Sequence, residues 1–179
     1  MEYQLGKKTI FLDRDGVINR EVNYLHKIDD FEFIDGIFDT CQHFQSLGYK
    51  IIIITNQSGI YRGYYTENDY QKVTQWMLAQ FANEDINILD TFHCPHGPDS
   101  TCNCRKPKPG MFLTAKTKYN IDMKNSWMIG DKEADVIAAN AAGIGNTILV
   151  RSGHRIDESS PEASFFLNSI QQSKQIITT

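Results

Sequence analysis

The sequence predicts an α/β fold: a doubly wound, Rossmann-like parallel sheet with helices on both faces and no separate cap domain. Three observations carry this. Short apolar runs recur at Thr9 to Leu12, Ile51 to Ile54, Ile88 to Phe92, Trp127 to Ile129 and Thr147 to Val150, the pattern of buried strands. Segments with apolar residues at helical spacing lie between them, and right-handed crossovers then make the strands parallel. Three of the runs end in polar clusters: Asp13-Arg14-Asp15-Gly16, Thr55-Asn56-Gln57-Ser58-Gly59 and Gly130-Asp131-Lys132. In an open parallel sheet ligands bind beyond the carboxyl ends of the strands. The three clusters are therefore expected to meet at one cavity.

The elements follow in order. After the first strand, Asn19 to Asp30 has no clear period and reads as a loop over the site, and Phe31 to Ile34 as a short extended piece. Asp35 is read as a helix N-cap, since Ile37, Phe38, Cys41, Phe44 and Leu47 recur at helical spacing before Gly48. The isoleucine run of the second strand suits burial on both faces. Thr66 with Asp69 three residues on is a capping-box variant, opening a helix that turns Tyr70, Val73, Trp76, Met77 and Phe81 inward. Pro109 reads as the first residue of a helix to about Tyr119. An alanine-rich helix runs from about Lys132 to Ala142 and stops at Gly143. The tail from Ser159 reads as a surface helix.

With 179 residues, 41% hydrophobic and 22% charged, the chain reads as one globular domain, residues 1–179. A net charge of −4 argues against a broad nucleic-acid face. It leaves a phosphorylated substrate open, because local cations set the field inside a pocket. No apolar stretch suits a secretion signal or membrane span, so a cytoplasmic location is expected. No segment marks an interface, and a monomer is the default.

The strand-end clusters suit attack by a carboxylate on phosphorus, which splits one hard displacement into two. In that reading Asp13 attacks. Asp15 protonates the leaving oxygen and later takes a proton from water, so its pKa should lie above that of a free Asp while Asp13, facing a cation, stays ionised. Thr55 and Lys106 hold phosphoryl oxygens. Asp131 with Asp13 holds a hard divalent cation, Mg²⁺. Asp135 either orients Lys132 or is a first-turn acid favoured by the helix dipole. Separately, Cys94, His96, Cys102 and Cys104 fall within eleven residues. In a reducing compartment this Cys₃His set suits a structural, tetrahedral Zn²⁺ stapling a loop over residues 94–104 and placing Arg105 and Lys106. Cys41 reads as core, and strand parity points His93 away from the cluster.

Asp13-x-Asp15-Gly16, Thr55, Lys106 and Gly130-Asp131-x₃-Asp135, in that order, resemble the four motifs of the haloacid dehalogenase superfamily. The resemblance implies the roles above, with the backbone carbonyl of Asp15 as a further magnesium ligand. The zinc loop joined to Cys104-Arg105-Lys106-Pro107-Lys108-Pro109-Gly110 is similar to a subgroup containing the D-glycero-D-manno-heptose 1,7-bisphosphate 7-phosphatases and the histidinol-phosphate phosphatases. Thr55 to Tyr64 looks more like the heptose group, whose product feeds nucleotide-heptose and lipopolysaccharide core synthesis. That resemblance implies that Glu21, Val22, Asn23 and Tyr24, with Thr55, Asn56, Gln57 and Ser58, line the substrate. It also implies that Arg105 recognises the distal phosphate, Lys106 stabilises the reacting one and Lys132 touches the substrate. A phosphoaspartate receiver, the reading from another class, would carry its acid on the third strand, which here runs into Phe92-His93-Cys94.

Overall fold

The computed structural model describes residues 6–156 and 162–178. Six parallel strands form one sheet: β1 (Thr9–Leu12), β2 (Lys50–Asn56), β3 (Ile88–Cys94), β4 (Trp127–Gly130), β5 (Asn146–Val150) and β6 (Phe165–Leu167), in the order β3-β2-β1-β4-β5-β6. Side chains alternate across the pleat. Ile10, Leu12, Ile51 and Ile53 therefore enter one buried cluster, with α1 (Ile37–Ser46), α2 (Glu67–Asn83) and a terminal 3₁₀ helix over Ile170–Gln175. Phe11, Ile52, Ile54 and Met128 enter the other, with α3 (Gly110–Tyr119) and α4 (Glu133–Ala141). In-register pairing of Phe11 with both Ile52 and Met128 makes β1 the centre of the sheet.

Most elements follow the sequence expectation, and the differences have local causes. The cap of α1 is Gly36 at φ +78°, with no side-chain cap bond, so Asp35 is not the N-cap; glycine takes the left-handed step that turns the chain into the helix. Thr66 does cap α2, accepting from the Asp69 N–H while Asp69 accepts from the Thr66 N–H. Pro109 occupies the cap position of α3 and Gly110 is its first residue. β3 runs two residues further than expected, to Cys94. The tail is not a surface helix. Its first residues, 159–161, lie outside the described ones; beyond them β6 pairs with β5, and Ile170 and Ser173 of the 3₁₀ helix are buried.

Candidate active site

After β3 the chain crosses to the far side of β1, so the ends of β2, β1 and β4 stand side by side at a topological switch point. A cavity of about 330 Å³ opens there, walled in part by Asp13, Asp15, Thr55, Lys106 and Asp135.

Asp13 follows β1 directly, its N–H donating to the Ile129 carbonyl at 3.0 Å. Its Oδ1 accepts from the Arg14 N–H at 2.8 Å and lies 3.0 Å from Lys106 Nζ. The ammonium is 3% exposed and also touches Asp135 Oδ1 at 2.6 Å and the Ile54 carbonyl at 2.7 Å. Its three N–H groups are thus all engaged, and holding a phosphoryl oxygen requires one to be exchanged. Burial works against the charge on Lys106, but Asp13 and Asp135 more than restore it and keep the amine protonated. Among the described residues the ion pair of Asp135 is with Lys106, not with the Lys132 side chain. Asp135 turns Oδ2 to the N–H groups of Asp131 and Lys132 and Oδ1 to Lys106, so it is more than a first-turn acid.

Their surroundings push the two candidate carboxyls in opposite directions, Asp13 up and Asp15 down. Burial, then Asp135, push the Asp13 carboxyl well up, against the pull of Lys106. Burial also opposes ionisation of Asp15, but Arg14 and hydrogen bonds from Asn19 and Gln57 outweigh it and hold the carboxyl below its ordinary value. Arg14, 1% exposed, donates from Nε and Nη2 to Asp15 Oδ1 at 3.3 and 3.0 Å. Asn19 donates to the same oxygen at 3.0 Å and Gln57 to Oδ2 at 3.1 Å.

Asp131, at the end of β4, is fully buried. Its Oδ2 accepts from the His154 N–H at 3.0 Å and lies 2.6 Å from the ring Nδ1. Gly16 and Gly153 leave room for that oxygen: a Cβ at either would come within 2.4 and 2.1 Å of it. Asp131 Oδ1 has no hydrogen-bond partner among the described residues. Asp13, Asp131 and Asp135 each bring an oxygen within 4.8 Å of the others. Three buried carboxylates against one ammonium, with one oxygen orphaned, fit a hard divalent cation.

Cys94, His96, Cys102 and Cys104 also bring their ligand atoms within 4.8 Å of one another. Cys94 Sγ lies 3.8 Å from Cys102 Sγ, 3.4 Å from His96 Nδ1 and 3.0 Å from Cys104 Sγ. The donor set is that of a closed tetrahedral zinc site. Because β3 reaches Cys94, the first ligand is carried by the sheet, and the Gln57 N–H donates to the Cys94 carbonyl at 2.8 Å. The Lys106 peptide is clamped to Asn56, which donates to its carbonyl at 3.0 Å and accepts from its N–H at 3.1 Å. The end of β2 thereby fixes where Lys106 enters the site. His93 points away as expected, its Nε2 3.0 Å from Glu67 Oε2, and Cys41 is core.

A family model described as "HAD-hyrolase-like" matches residues 103–172. D-glycero-alpha-D-manno-heptose-1,7-bisphosphate 7-phosphatase of Photorhabdus laumondii is 48% identical over 94% of this chain and 96% of its own. The beta-named enzyme of Vibrio cholerae is 47% identical over 86% of this chain and 87% of its own. The chain belongs to the heptose-bisphosphate 7-phosphatase family of HAD-like hydrolases. The D,D-heptose 1,7-bisphosphate phosphatase of B. bronchiseptica, complexed with magnesium and phosphate, superposes with a TM-score of 0.83 at 27% identity, covering 94% of this chain and 97% of that one.

Of the substrate-lining residues that the family resemblance implies, Glu21, Asn23, Tyr24, Thr55, Asn56, Gln57, Ser58, Arg105, Lys106 and Lys132 all border the cavity. Val22 does not; it is 39% exposed and outside the cavity wall. Leu25, Arg62, Tyr65, Ala134 and His154 border it as well and were not singled out from the sequence. Tyr65 and His154 carry no motif spacing, and only the folded chain brings them to the site.

Proposed function

We propose that this chain removes the 7-phosphate of D-glycero-D-manno-heptose 1,7-bisphosphate through an aspartyl phosphate, a step toward nucleotide-heptose precursors. The observation that carries the reading is the gathering of Asp13, Asp15, Thr55 and Lys106 round one cavity, in a chain 48% identical to an enzyme named for that reaction.

Asp13 Oδ1 is held by Lys106 and the Arg14 N–H, which leaves Oδ2 to attack phosphorus. The new bond is Oδ2–P, and the bond broken is that from phosphorus to the sugar oxygen. Asp15 gives its proton to that oxygen. An arriving phosphoryl dianion raises the Asp15 pKa against the pull of Arg14, because like charge disfavours ionisation. Asp15 then takes a proton from the water that cleaves the aspartyl phosphate, releasing inorganic phosphate. Thr55 donates to a phosphoryl oxygen, and Lys106 neutralises charge beside Asp13. Asp13, Asp131 and the Asp15 carbonyl are the proposed holders of Mg²⁺, which when bound offsets phosphoryl charge and the repulsion among the carboxylates. The cysteine–histidine set is proposed to hold zinc and to act only on shape.

A bisphosphate carries a second dianion, and the Arg105 guanidinium on the cavity wall suits two-pronged phosphate contact. Steady-state kinetics on both anomers of the bisphosphate and on histidinol phosphate test the reading. The expected result is a higher kcat/KM for a heptose bisphosphate. A higher value for histidinol phosphate would overturn the substrate. A phosphoprotein persisting for minutes without turnover would point to a receiver instead.

A further inference from the structure

Gln57 is 3% exposed, and both N–H groups and the oxygen of its side-chain amide are engaged. Its Nε2 donates to Thr55 Oγ1 at 2.8 Å and to Asp15 Oδ2 at 3.1 Å, while its Oε1 accepts from the Tyr65 hydroxyl at 2.6 Å. The amide thus presents its NH₂ to Thr55 and Asp15 and its oxygen to Tyr65. The reverse orientation would turn the amide oxygen toward Asp15 Oδ2 and Thr55 Oγ1 and take the acceptor away from the Tyr65 hydroxyl.

Tyr65 is built to hold that choice. It is 6% exposed, with its ring stacked on His26 at 5.3 Å and 7°. The ring also fills the space beside Gly59, where a Cβ would come within 2.1 Å of it. Burial pushes the phenol up to about 12, so it remains a donor through the neutral range. Among the described residues the amide oxygen is the one acceptor this hydroxyl meets. The NH₂ must then face Thr55 and Asp15.

We propose that Tyr65 is a positioning residue that sets the direction of a hydrogen-bond relay through Gln57 to Thr55 and Asp15. Because Thr55 Oγ1 is already an acceptor from Gln57, its own hydrogen is left to donate to a phosphoryl oxygen. The same amide fixes Asp15 Oδ2, which shuttles the proton. The relay rests on the roles of Thr55 and Asp15 proposed above.

The test is a double-mutant cycle on the full-length, metal-loaded protein with Tyr65→Phe and Gln57→Leu. The assay uses the heptose bisphosphate, or p-nitrophenyl phosphate should the bisphosphate not be turned over. Tyr65→Phe keeps the ring and should lower kcat about tenfold with KM nearly unchanged, the order expected for one buried hydrogen bond. The Tm should fall by no more than about 2–4 °C. The double variant should match Gln57→Leu within about twofold, since Tyr65 acts only through the amide. Losses that multiply, or a Tyr65→Phe enzyme with wild-type kcat, would overturn the relay. Gln57→Glu probes it without touching the aromatic ring. It has no N–H to offer Thr55 or Asp15, so wild-type kcat in that variant would also refute the relay. Asp15→Asn is run alongside: full activity there would remove Asp15 from the chemistry, a failure of the parent reading and not of the relay alone.

Discussion

Replacing Asp135 with asparagine separates two accounts of that residue by magnitude. The carboxylate meets the buried Lys106 ammonium at 2.6 Å through Oδ1 and two backbone N–H groups at 3.1 Å through Oδ2. Asparagine has one acceptor. If it keeps the two backbone donors, its NH₂ is turned onto the ammonium, so a buried ion pair is lost and two donors are opposed. Removing one partner of a buried pair costs about 3–5 kcal/mol. For a chain of this size that lowers Tm by roughly 6–20 °C. Were Asp135 only a first-turn acid on the helix dipole, the cost would be about 0.3–1 kcal/mol and the shift roughly 1–4 °C. Lys106 is also released from its place beside Asp13, so kcat should fall by more than tenfold, the scale of disturbing a preorganised charge. Differential scanning calorimetry with steady-state kinetics makes the measurement. A Tm within about 4 °C of wild type, with kcat intact, would refute the account of Asp135 as the anchor of Lys106.

Asp13→Asn should abolish turnover with the fold intact by circular dichroism, and residual activity above about one per cent of wild type would exclude Asp13 as nucleophile. Added Mg²⁺ should raise the Tm of the wild type, by about 2.7 kcal/mol of stabilisation at a hundred times its Kd, and leave Asp131→Asn unmoved. His154→Ala should weaken Mg²⁺ binding about tenfold by calorimetry, because it keeps the backbone N–H but removes the imidazole that pins Asp131 Oδ2 and so orients the free oxygen. A chelator strong enough to strip zinc should lower the wild-type Tm and have no further effect on Cys102→Ala. An unchanged Tm in both would end the case for a stapled loop. Arg105→Ala should raise KM for the bisphosphate about tenfold or more and barely change that for a monophosphate, as losing a charge-assisted contact to the second phosphate predicts. Equal losses on both substrates would remove Arg105 from recognition of the distal group.

The strands were legible because their pattern is local: four isoleucines in succession at Ile51 to Ile54 can hardly be anything but a strand covered on both faces. The acids Asp13, Asp15 and Asp131 were legible for a related reason, since a polar residue directly after a buried strand has only the sheet edge to occupy. The cysteine cluster lies within eleven residues and needs no tertiary contact to be noticed. Three things lay beyond reach of that reasoning. The tail was read as a helix because β6 is three residues long with no period of its own, and pairing with β5 decides its state. The directions in which the Asp13 and Asp15 carboxyls are pushed turn on a buried Arg14, on Asn19 and on Asp135, none of which advertises its effect in the sequence. The links from Lys106 to Asp135, from His154 to Asp131 and from Tyr65 to Gln57 join residues whose side chains meet only after the chain has crossed the sheet or folded its loops back. Sequence by itself determined which chemistry the chain carries, because that depends on residue type at strand ends. Tertiary structure decided how each group is charged and aimed, because burial and hydrogen-bond partners are properties of neighbours in space.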